Sequence, residues 1–406
     1  TMIAPDGTDF VIIAPTGSGE QARFALEESA RMMPWFEDYF GMPYGLPKLD
    51  NVTGPGQSQF FGAMENWGAI FTFERYLLND PANTSPAARQ TIVLFLGHEI
   101  AHQWFGNIIT MAWWDDLWLN EGFASWIETK ITHDLHPDWH ANMRRIRVRE
   151  RAMELDAVRS AKPVITPINT VAQTAQAFGD ITYAKGEAVI AMFEAAAGED
   201  TFREGLQLYF DRHAFENTVG NDLWNAMEAA GAQGLRDIAN DFTQQAGVPL
   251  VSAQSRCVAG QTRLSLAQGQ FTLDRREDPS FQPGSWRVPL NISINGSASV
   301  SHVLQGEADL TLPGCGAVNV NAGQVGYYRV DYTDAMMADH VAAFGDYQPL
   351  DQMGLLREAM AMSFAGYKSI DYGLALLEAV PAHANPLVTQ YAVGLWADMY
   401  DAISDE

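Results

Sequence analysis

The sequence predicts a multidomain α+β protein that begins with mixed strands and helices, continues as a small β module and ends in helices. Its 406 residues are 47% hydrophobic, which is enough for roughly two or three domains with buried cores. The spacing of apolar residues changes twice along the chain, to short alternating runs after residue 248 and back to a helical period after residue 332. We therefore predict domains at 1–248, 249–332 and 333–406.

The first predicted domain opens with a strand followed by a helix. Residues 9–15 are apolar and β-branched, and a helical pattern begins after Gly17 and Gly19. Pro86 is well placed to start another helix, because proline is favoured in the first helical turn. The resulting assignment is a strand at 9–15, a helix at 21–40, strands and turns within 49–77, a helix from 86 to about 105, and helices from about 120 to 246.

The second and third predicted domains follow the change in period. Short alternating runs separated by Gly, Asn and Pro are typical of strands in a compact β domain. They occur at 263–266, 286–294, 300–304 and 325–332, and predict a small antiparallel β-sandwich. Helical patterns at 336–344, 350–365 and 386–403 predict the start of an α-helical domain.

The charge of the chain excludes some classes of partner. Acidic residues outnumber basic residues by 50 to 25, for a formal charge of −25, and such a chain repels phosphate backbones and anionic membrane surfaces. No apolar run is long enough to span a bilayer. We expect no nucleic-acid partner and no membrane insertion, and we interpret the basic run at 144–151 as a solvated helix face.

Cysteine usage bears on the compartment. Cys257 and Cys315 are the two cysteines of the chain, too few for a disulfide scaffold. Both fall in the predicted β module, where they form either one bridge or two separate buried thiols. A bridge would favour an oxidising compartment. We expect a secreted or periplasmic protein, with a cytoplasmic location as the alternative.

The strongest chemical signal is His98-Glu99-Ile100-Ala101-His102. On a helix, residues four apart share a face, so the two imidazoles can bind one ion while Glu99 acts on a water. Catalytic zinc needs a third protein ligand, and Glu121 follows after eighteen intervening residues. Glu121 could instead be an ordinary first-turn glutamate that complements the helix dipole. Given the histidine pair, we predict one Zn²⁺ ion bound by His98, His102 and Glu121.

Four sequence blocks together resemble a known family. They are Gly62-Ala63-Met64-Glu65-Asn66-Trp67-Gly68, residues 97–107, residues 113–126, and Ile181-Thr182-Tyr183-Ala184-Lys185-Gly186. Their order and spacing resemble the gluzincin zinc aminopeptidases typified by aminopeptidase N. The resemblance implies a thermolysin-like mixed α/β catalytic domain. It also implies that the chain lacks the family's N-terminal domain and most of its C-terminal helical domain.

The resemblance implies a role for each matched residue. Gly62, Ala63, Met64, Glu65 and Asn66 would line the substrate cleft, with Glu65 binding the free α-amine of a peptide. A carboxylate pairs with an ammonium group in a charge-assisted hydrogen bond, so a substrate without a free N-terminus would leave it unpaired. Glu99 would be the general base, and Tyr183 would donate a hydrogen bond to the oxyanion. The implied function is zinc-dependent removal of N-terminal residues from peptides.

Three alternative functions share part of this pattern. A gluzincin endopeptidase would use the same zinc chemistry, but Glu65 argues against it. Epoxide hydrolysis, as in leukotriene hydrolase, typically accompanies Gly-Gly-Met-Glu-Asn, whereas this chain has Ala63. A non-catalytic scaffold with the peptidase fold would be expected to lose the metal ligands or the base, and all of them are present here.

Overall fold

The structure, a computed structural model, describes residues 1–58, 61–273 and 282–404. The chain divides into two compact units. The first consists of Thr1–Arg145 and Ile165–Arg236, and the second consists of Ile146–Val164 and Asp237–Glu406. Both helices and strands are present, so the predicted mixed α/β character is confirmed. Residues 59 and 60, inside the predicted strand region at 49–77, lie outside the described residues.

The first unit contains a five-stranded sheet in the order β1-β2-β3-β5-β4. The central strands β2, β3 and β5 run parallel, and the edge strands β1 and β4 run antiparallel to their neighbours. The strand β4 is an edge strand of only two residues. The ranges are β1 Met2–Ile3, β2 Asp9–Ile13, β3 Lys48–Gly54, β4 Ala63–Met64 and β5 Ala69–Phe73.

Nine α-helices are described between residues 19 and 243. They are α1 Gly19–Phe40, α2 Pro86–Ala101, α3 Trp118–Leu135, α4 Arg144–Asp156, α5 Val171–Ala177, α6 Gly186–Ala197, α7 Glu199–His213, α8 Gly220–Ala229 and α9 Leu235–Thr243. The two-residue strands β6 Thr110–Met111 and β7 Asn217–Thr218 pair in parallel. The predicted start of α2 is confirmed, because Ser85 caps the helix by accepting from the Ala88 amide and Pro86 is its first residue.

Several helix boundaries differ from the prediction; α1, for example, begins at Gly19 and not at residue 21. The helix α2 ends at Ala101, not near Phe105, because the next turn tightens to bonds such as Gln103 N to Ile100 O. The helix α3 begins at Trp118, two residues before the expected Asn120, and has no side-chain cap.

An aromatic core packs α1 and α3 against the segment that follows α2. Phe105 stacks on Phe123 with ring centroids 4.5 Å apart, and Phe40 meets Phe105 at 5.5 Å. All three rings are at most 2% exposed. Burying a phenylalanine side chain contributes about 1.5–3 kcal/mol, so this core fixes the helices that carry the metal-ligand candidates.

The second unit contains two sheets. The four-stranded sheet has the order β12-β9-β8-β14, and the three-stranded sheet has the order β11-β10-β13. The expectation of a purely antiparallel module is wrong at one pair, since β14 runs parallel to β8. A long connection separates these two strands, and parallel pairing requires such a crossover instead of a hairpin. The ranges are β8 Val248–Val258, β9 Gln261–Phe271, β10 Val288–Ile294, β11 Val300–Leu304, β12 Glu307–Pro313, β13 Val318–Asn319 and β14 Arg329–Tyr332.

A disulfide joins Cys257, near the end of β8, to Cys315, just beyond β12. The sequence left open whether the two cysteines pair, and the structure bridges them. The chain then forms α10 Asp334–Ala343, α11 Pro349–Phe364, α12 Ile370–Glu378 and α13 Pro386–Ser404. The predicted helices at 336–344, 350–365 and 386–403 are confirmed, whereas α12 was not predicted.

The interpretation of residues 144–151 as a solvated helix face is wrong for part of the run. Arg149 is 3% exposed and donates to the backbone carbonyl oxygens of Gln324 and Gly326. Glu150 is also buried, next to the guanidinium of Arg329. These two residues of the run are therefore buried by partners that lie far away in the sequence.

Across the part of the chain that the structure describes, no helix is both long and apolar enough to cross a bilayer.

Candidate metal and catalytic site

Two helices of the first unit bring three ligand candidates together. His98 lies in the last turn of α2, and His102 caps that helix with helical backbone angles. Glu121 lies in the first turn of α3. The Nε2 atoms of the histidines are 3.1 Å apart, and each is 3.3 Å from Oε2 of Glu121. These are the ligand candidates that the sequence analysis singled out.

The spacing of these atoms fits a zinc ion. Zinc–nitrogen and zinc–carboxylate bonds are about 2.0–2.2 Å long, so ligand atoms of a tetrahedral site lie about 3.3–3.6 Å from one another. The three separations lie at or slightly below that range. Two imidazoles and a carboxylate are also a donor set that suits zinc. His98, His102 and Glu121 could therefore hold one metal ion.

Hydrogen bonds behind the histidines orient both rings. His98 Nδ1 donates to Oε2 of Glu128 at 2.8 Å, and His102 Nδ1 donates to the Phe105 carbonyl at 2.8 Å. The other oxygen of Glu128 accepts from Arg144 at 2.9 Å. Each Nδ1 thus carries a proton that points away from the cluster, so Nε2 is the atom of each ring that can lose its proton and bind a metal ion.

The charges of the cluster influence one another. Burial by itself disfavours charged imidazoles, yet Glu121 raises the pKa of His102 to about 9, and Glu121 with Glu128 raises the pKa of His98 well above its ordinary value. Burial would raise the pKa of Glu121, but the two histidines outweigh it and lower that pKa. Positive charge around Glu121 therefore stabilises its ionised carboxylate, and a bound metal ion would supply such charge.

Glu99 is buried beside the cluster, with 5% of its surface exposed. Burial raises its pKa to about 7, although His98 and His102 act in the opposite direction. Its Oε2 atom is buried and has no hydrogen-bond partner among the described residues. An unsatisfied buried oxygen is costly, so this position is suited to a water or substrate that is bound during function.

Tyr183 lies in a π-helical turn, Ile181–Lys185, immediately before α6. Such turns are rare and occur often at functional sites. Its ring lies 6.2 Å from that of His98, nearly parallel to it. Burial raises the pKa of Tyr183, and the nearby carboxylate of Glu121 raises it further, so the phenol keeps its proton.

Two glycines let this turn approach α3. A Cβ atom built on Gly186 would lie 2.9 Å from the Cα of Gly122, and one on Gly122 would lie 3.1 Å from the Cα of Gly186. Backbone contact this close leaves no room for a side chain on either residue. The pair therefore allows the turn that carries Tyr183 to lie directly against the first turns of α3, where Glu121 is located.

The segment expected to bind substrate includes the edge strand β4. Ala63 and Met64 pair with Thr72 and Phe71 of β5, and the Gly62 carbonyl accepts from Phe73. Met64 is 45% exposed, and Asn66 is exposed in the turn that follows. Glu65 is half-buried. Burial has a larger effect on the pKa values of Glu99 and Tyr183, but the charge of Glu65 raises both as well.

Four residues that contact this site were missed by the sequence analysis. Glu128 lies seven residues after Glu121, two turns along the same helix, a spacing that could have suggested it. Gln103 and Asn107 lie inside the matched block 97–107, yet nothing local indicated that both would donate to the Glu65 carbonyl. Arg144 gave no signal, because its partner is sixteen residues away.

Comparisons with known proteins agree with the resemblance. Residues 24–242 match the peptidase family M1 domain, and residues 317–406 match the ERAP1-like C-terminal domain. Three similar curated relatives are Aminopeptidase M1 of Arabidopsis thaliana, Puromycin-sensitive aminopeptidase of Caenorhabditis elegans and Aminopeptidase N of Lactobacillus helveticus. They are 31%, 32% and 34% identical over 92%, 90% and 86% of this chain.

The chain spans less than half of these relatives, namely 44%, 39% and 41% of their lengths. The M1 domain match nevertheless covers more than half of the chain and includes the whole cluster of His98, His102 and Glu121. The chain therefore belongs to peptidase family M1.

Proposed function

We propose that this protein is a zinc-dependent aminopeptidase that hydrolyses the N-terminal bond of peptides. The observation that carries this proposal is the convergence of His98, His102 and Glu121 at 3.1–3.3 Å, next to a buried Glu99 whose Oε2 lacks a partner among the described residues. The names of the relatives, all aminopeptidases, support the same activity.

In this proposal the ligands are His98, His102 and Glu121, oriented by Glu128 and the Phe105 carbonyl. When bound, zinc supplies a Lewis acid that polarises a carbonyl group and makes water more acidic. Glu99 accepts a proton from the attacking water and delivers it to the leaving amine. Tyr183, whose phenol stays protonated, donates a hydrogen bond to the carbonyl oxygen as that oxygen gains negative charge.

Glu65 is proposed to select substrates with a free N-terminus. Its carboxylate pairs with the ammonium group, while Gly62, Ala63, Met64 and Asn66 line the same edge of the sheet. An acetylated N-terminus cannot neutralise this carboxylate. Binding such a substrate would leave the charge of Glu65 unpaired, which is unfavourable. The pairing places the first peptide bond at the reacting centre, and one residue leaves in each cycle.

The finer domain assignment is also a proposal. We assign 1–248 to a thermolysin-like catalytic domain, 249–332 to a β-sandwich and 333–406 to the start of a helical domain. Alternating burial along β9, where Leu264 and Leu266 are buried and Arg263 and Ser265 are exposed, supports a sandwich. The disulfide between Cys257 and Cys315 supports a secreted or periplasmic location.

The test compares aminoacyl-coumarin substrates with their N-acetylated counterparts, with zinc and after chelation. We expect zinc-dependent release from the free amines and little from the acetylated set. Glu65→Gln should reduce this preference, because the amide cannot form an ion pair. Equal cleavage of both sets by the unmodified protein would contradict an aminopeptidase and favour an endopeptidase. No cleavage by a folded, zinc-loaded protein would contradict peptidase activity.

A further inference from the structure

We propose that Gln103 and Asn107 form an amide clamp that positions Glu65 relative to the end of α2 and so determines the preference for free N-termini. This inference rests on the proposed aminopeptidase function and adds two positioning residues to it. The amide clamp is defined by the side-chain nitrogens of Gln103 and Asn107, which donate to the backbone oxygen of Glu65 at 3.2 and 2.9 Å.

The clamp is needed because the sheet stops before Glu65. The strand β4 pairs with β5 only through Ala63 and Met64. Beyond Met64 the chain leaves the sheet and turns, with Ala69 N donating to Asn66 O and Gly68 at φ 77°. The ladder therefore provides no partner for the Glu65 carbonyl, and a half-buried carbonyl without a partner is unfavourable. The two side-chain amides supply its hydrogen bonds.

Gln103 links this turn to the backbone of Glu99, the proposed base. It is fully buried, and its nitrogen also donates to the Glu99 carbonyl at 3.1 Å. Its oxygen accepts from the Gly68 amide at 3.3 Å, on the far side of the turn. One side chain thus fixes both ends of the turn from Glu65 to Gly68 against the last turn of α2.

Asn107 makes the corresponding link to a ligand candidate. Its own amide nitrogen donates to the His102 carbonyl at 3.1 Å, while its side chain holds the Glu65 carbonyl. The position of Glu65 is therefore set against Glu99 through Gln103 and against His102 through Asn107. A displacement of about 1 Å at a reacting centre can cost about a hundredfold in rate, so a clamp of this kind bears directly on selectivity.

The first test is Asn107→Leu, which keeps the number and branching of the side-chain heavy atoms and removes the donor. We expect KM for free-amine substrates to rise about tenfold, since Glu65 loses its fixed position while the cluster and Glu99 remain. The change in kcat should stay below about threefold. The ratio of free-amine to acetylated cleavage should fall about tenfold. The matched control is Asn217→Leu, because Asn217 also donates to a backbone carbonyl, that of Met111.

A double-mutant cycle separates positioning from general damage. If the clamp acts through Glu65, Asn107→Leu should have little further effect on the selectivity ratio once Glu65→Gln is present. Additive losses, or an equal fall in kcat/KM for both substrate sets, would overturn the proposal. The selectivity of the unmodified protein is measured first. If that protein does not prefer free amines, the result contradicts the aminopeptidase function itself.

Hydrogen exchange over residues 62–69 tests the clamp without requiring activity. In Asn107→Leu, the Gly68 amide and its neighbours should exchange at least about tenfold faster, because the turn is held by fewer bonds. The Asn217→Leu control should leave exchange in this segment unchanged. Unchanged exchange in Asn107→Leu would overturn the clamp even if the protein proves inactive. Gln103→Met is the second variant, and it should accelerate exchange in the same segment.

Discussion

The two compact units both bury charged side chains, but they balance the charges differently. In the second unit, Glu150 is surrounded by Arg149 at 3.1 Å, Arg329 at 2.6 Å and Arg357 at 3.6 Å. In the first unit, the ion-pair partners of Glu121 among the described residues are the imidazoles of His98 and His102, and one oxygen of Glu99 has no hydrogen-bond partner there. Arginines of the chain thus neutralise the buried carboxylate of the second unit, whereas the first cluster is arranged to receive a cation and a substrate.

The histidines of the two units show the same contrast. Carboxylates raise the pKa of His102 to about 9 despite its burial. His340 in the second unit is buried without a carboxylate hydrogen bond among the residues that the structure describes, and burial lowers its pKa to about 4. Its Nδ1 atom shares a hydrogen bond with the Tyr347 hydroxyl at 2.9 Å. Burial alone therefore does not predict the charge of a histidine in this protein, because the neighbouring groups decide it.

Removing the proposed base should have the largest effect. Glu99→Gln keeps the shape of the side chain but cannot accept a proton, so kcat/KM should fall by about 10²–10⁴-fold. Zinc content should not change, because Glu99 is not among the ligand candidates. The measurements are kcat/KM on a free-amine substrate and bound zinc per chain. Glu204→Gln, an exposed glutamate on α7, is the control. Activity within threefold of the unmodified protein would exclude Glu99 as the base.

Breaking the ion-pair cluster around Glu150 should affect the stability of the protein instead of its chemistry. Arg329→Met leaves Glu150 and Glu358 without their shared guanidinium, and removing one partner of a buried ion pair costs about 3–5 kcal/mol. Denaturant unfolding followed by fluorescence measures this loss. The exposed Arg263→Met on β9 should cost less than about 0.5 kcal/mol. Equal stability of the two variants would show that these buried ion pairs do not contribute to the stability of the fold.

The pH dependence of stability should identify His340. Its pKa is about 4 in the folded protein and ordinarily 6.5, so the unfolded chain binds more protons between these values. Stability from His340 is fully present above pH 6.5 and is lost as the pH falls towards 4, by about 3 kcal/mol in total. His340→Gln should remove this part of the acid dependence. The exposed His383→Gln should retain it, and identical pH profiles for all three proteins would contradict the assignment.

The smallest effect is expected from a substitution of Glu128, the hydrogen-bond partner of the ligand candidate His98. Glu128→Gln can still accept from His98 but loses its charge and its ion pair with Arg144. Losing such an outer partner typically weakens metal binding by about 10–100-fold. Competition against a chelator of known affinity measures the zinc dissociation constant. Glu204→Gln again serves as the control, and an unchanged constant in Glu128→Gln would show that His98 needs no charged partner.

Local sequence rules were most reliable where a residue acts on its near neighbours. Ser85 and Pro86 marked the start of α2, and the run 300–304 matched β11. The rules failed where distant residues decide the outcome. Nothing near Arg149 indicated that the carbonyls of Gln324 and Gly326 would bury it. The parallel pairing of β14 with β8 depends on how the chain returns to the sheet, which alternating hydrophobicity does not encode.

The sequence by itself determined the chemical groups of the candidate site and the one spacing that a helix enforces, between His98 and His102. Only the tertiary structure decided the rest. It placed Glu121 at 3.3 Å from both imidazoles, brought the Tyr183 turn against α3 through Gly122 and Gly186, and tied Glu65 to Gln103 and Asn107. The physical reason is range: backbone hydrogen bonds fix residues four apart, whereas contacts between distant residues depend on how whole helices and strands pack.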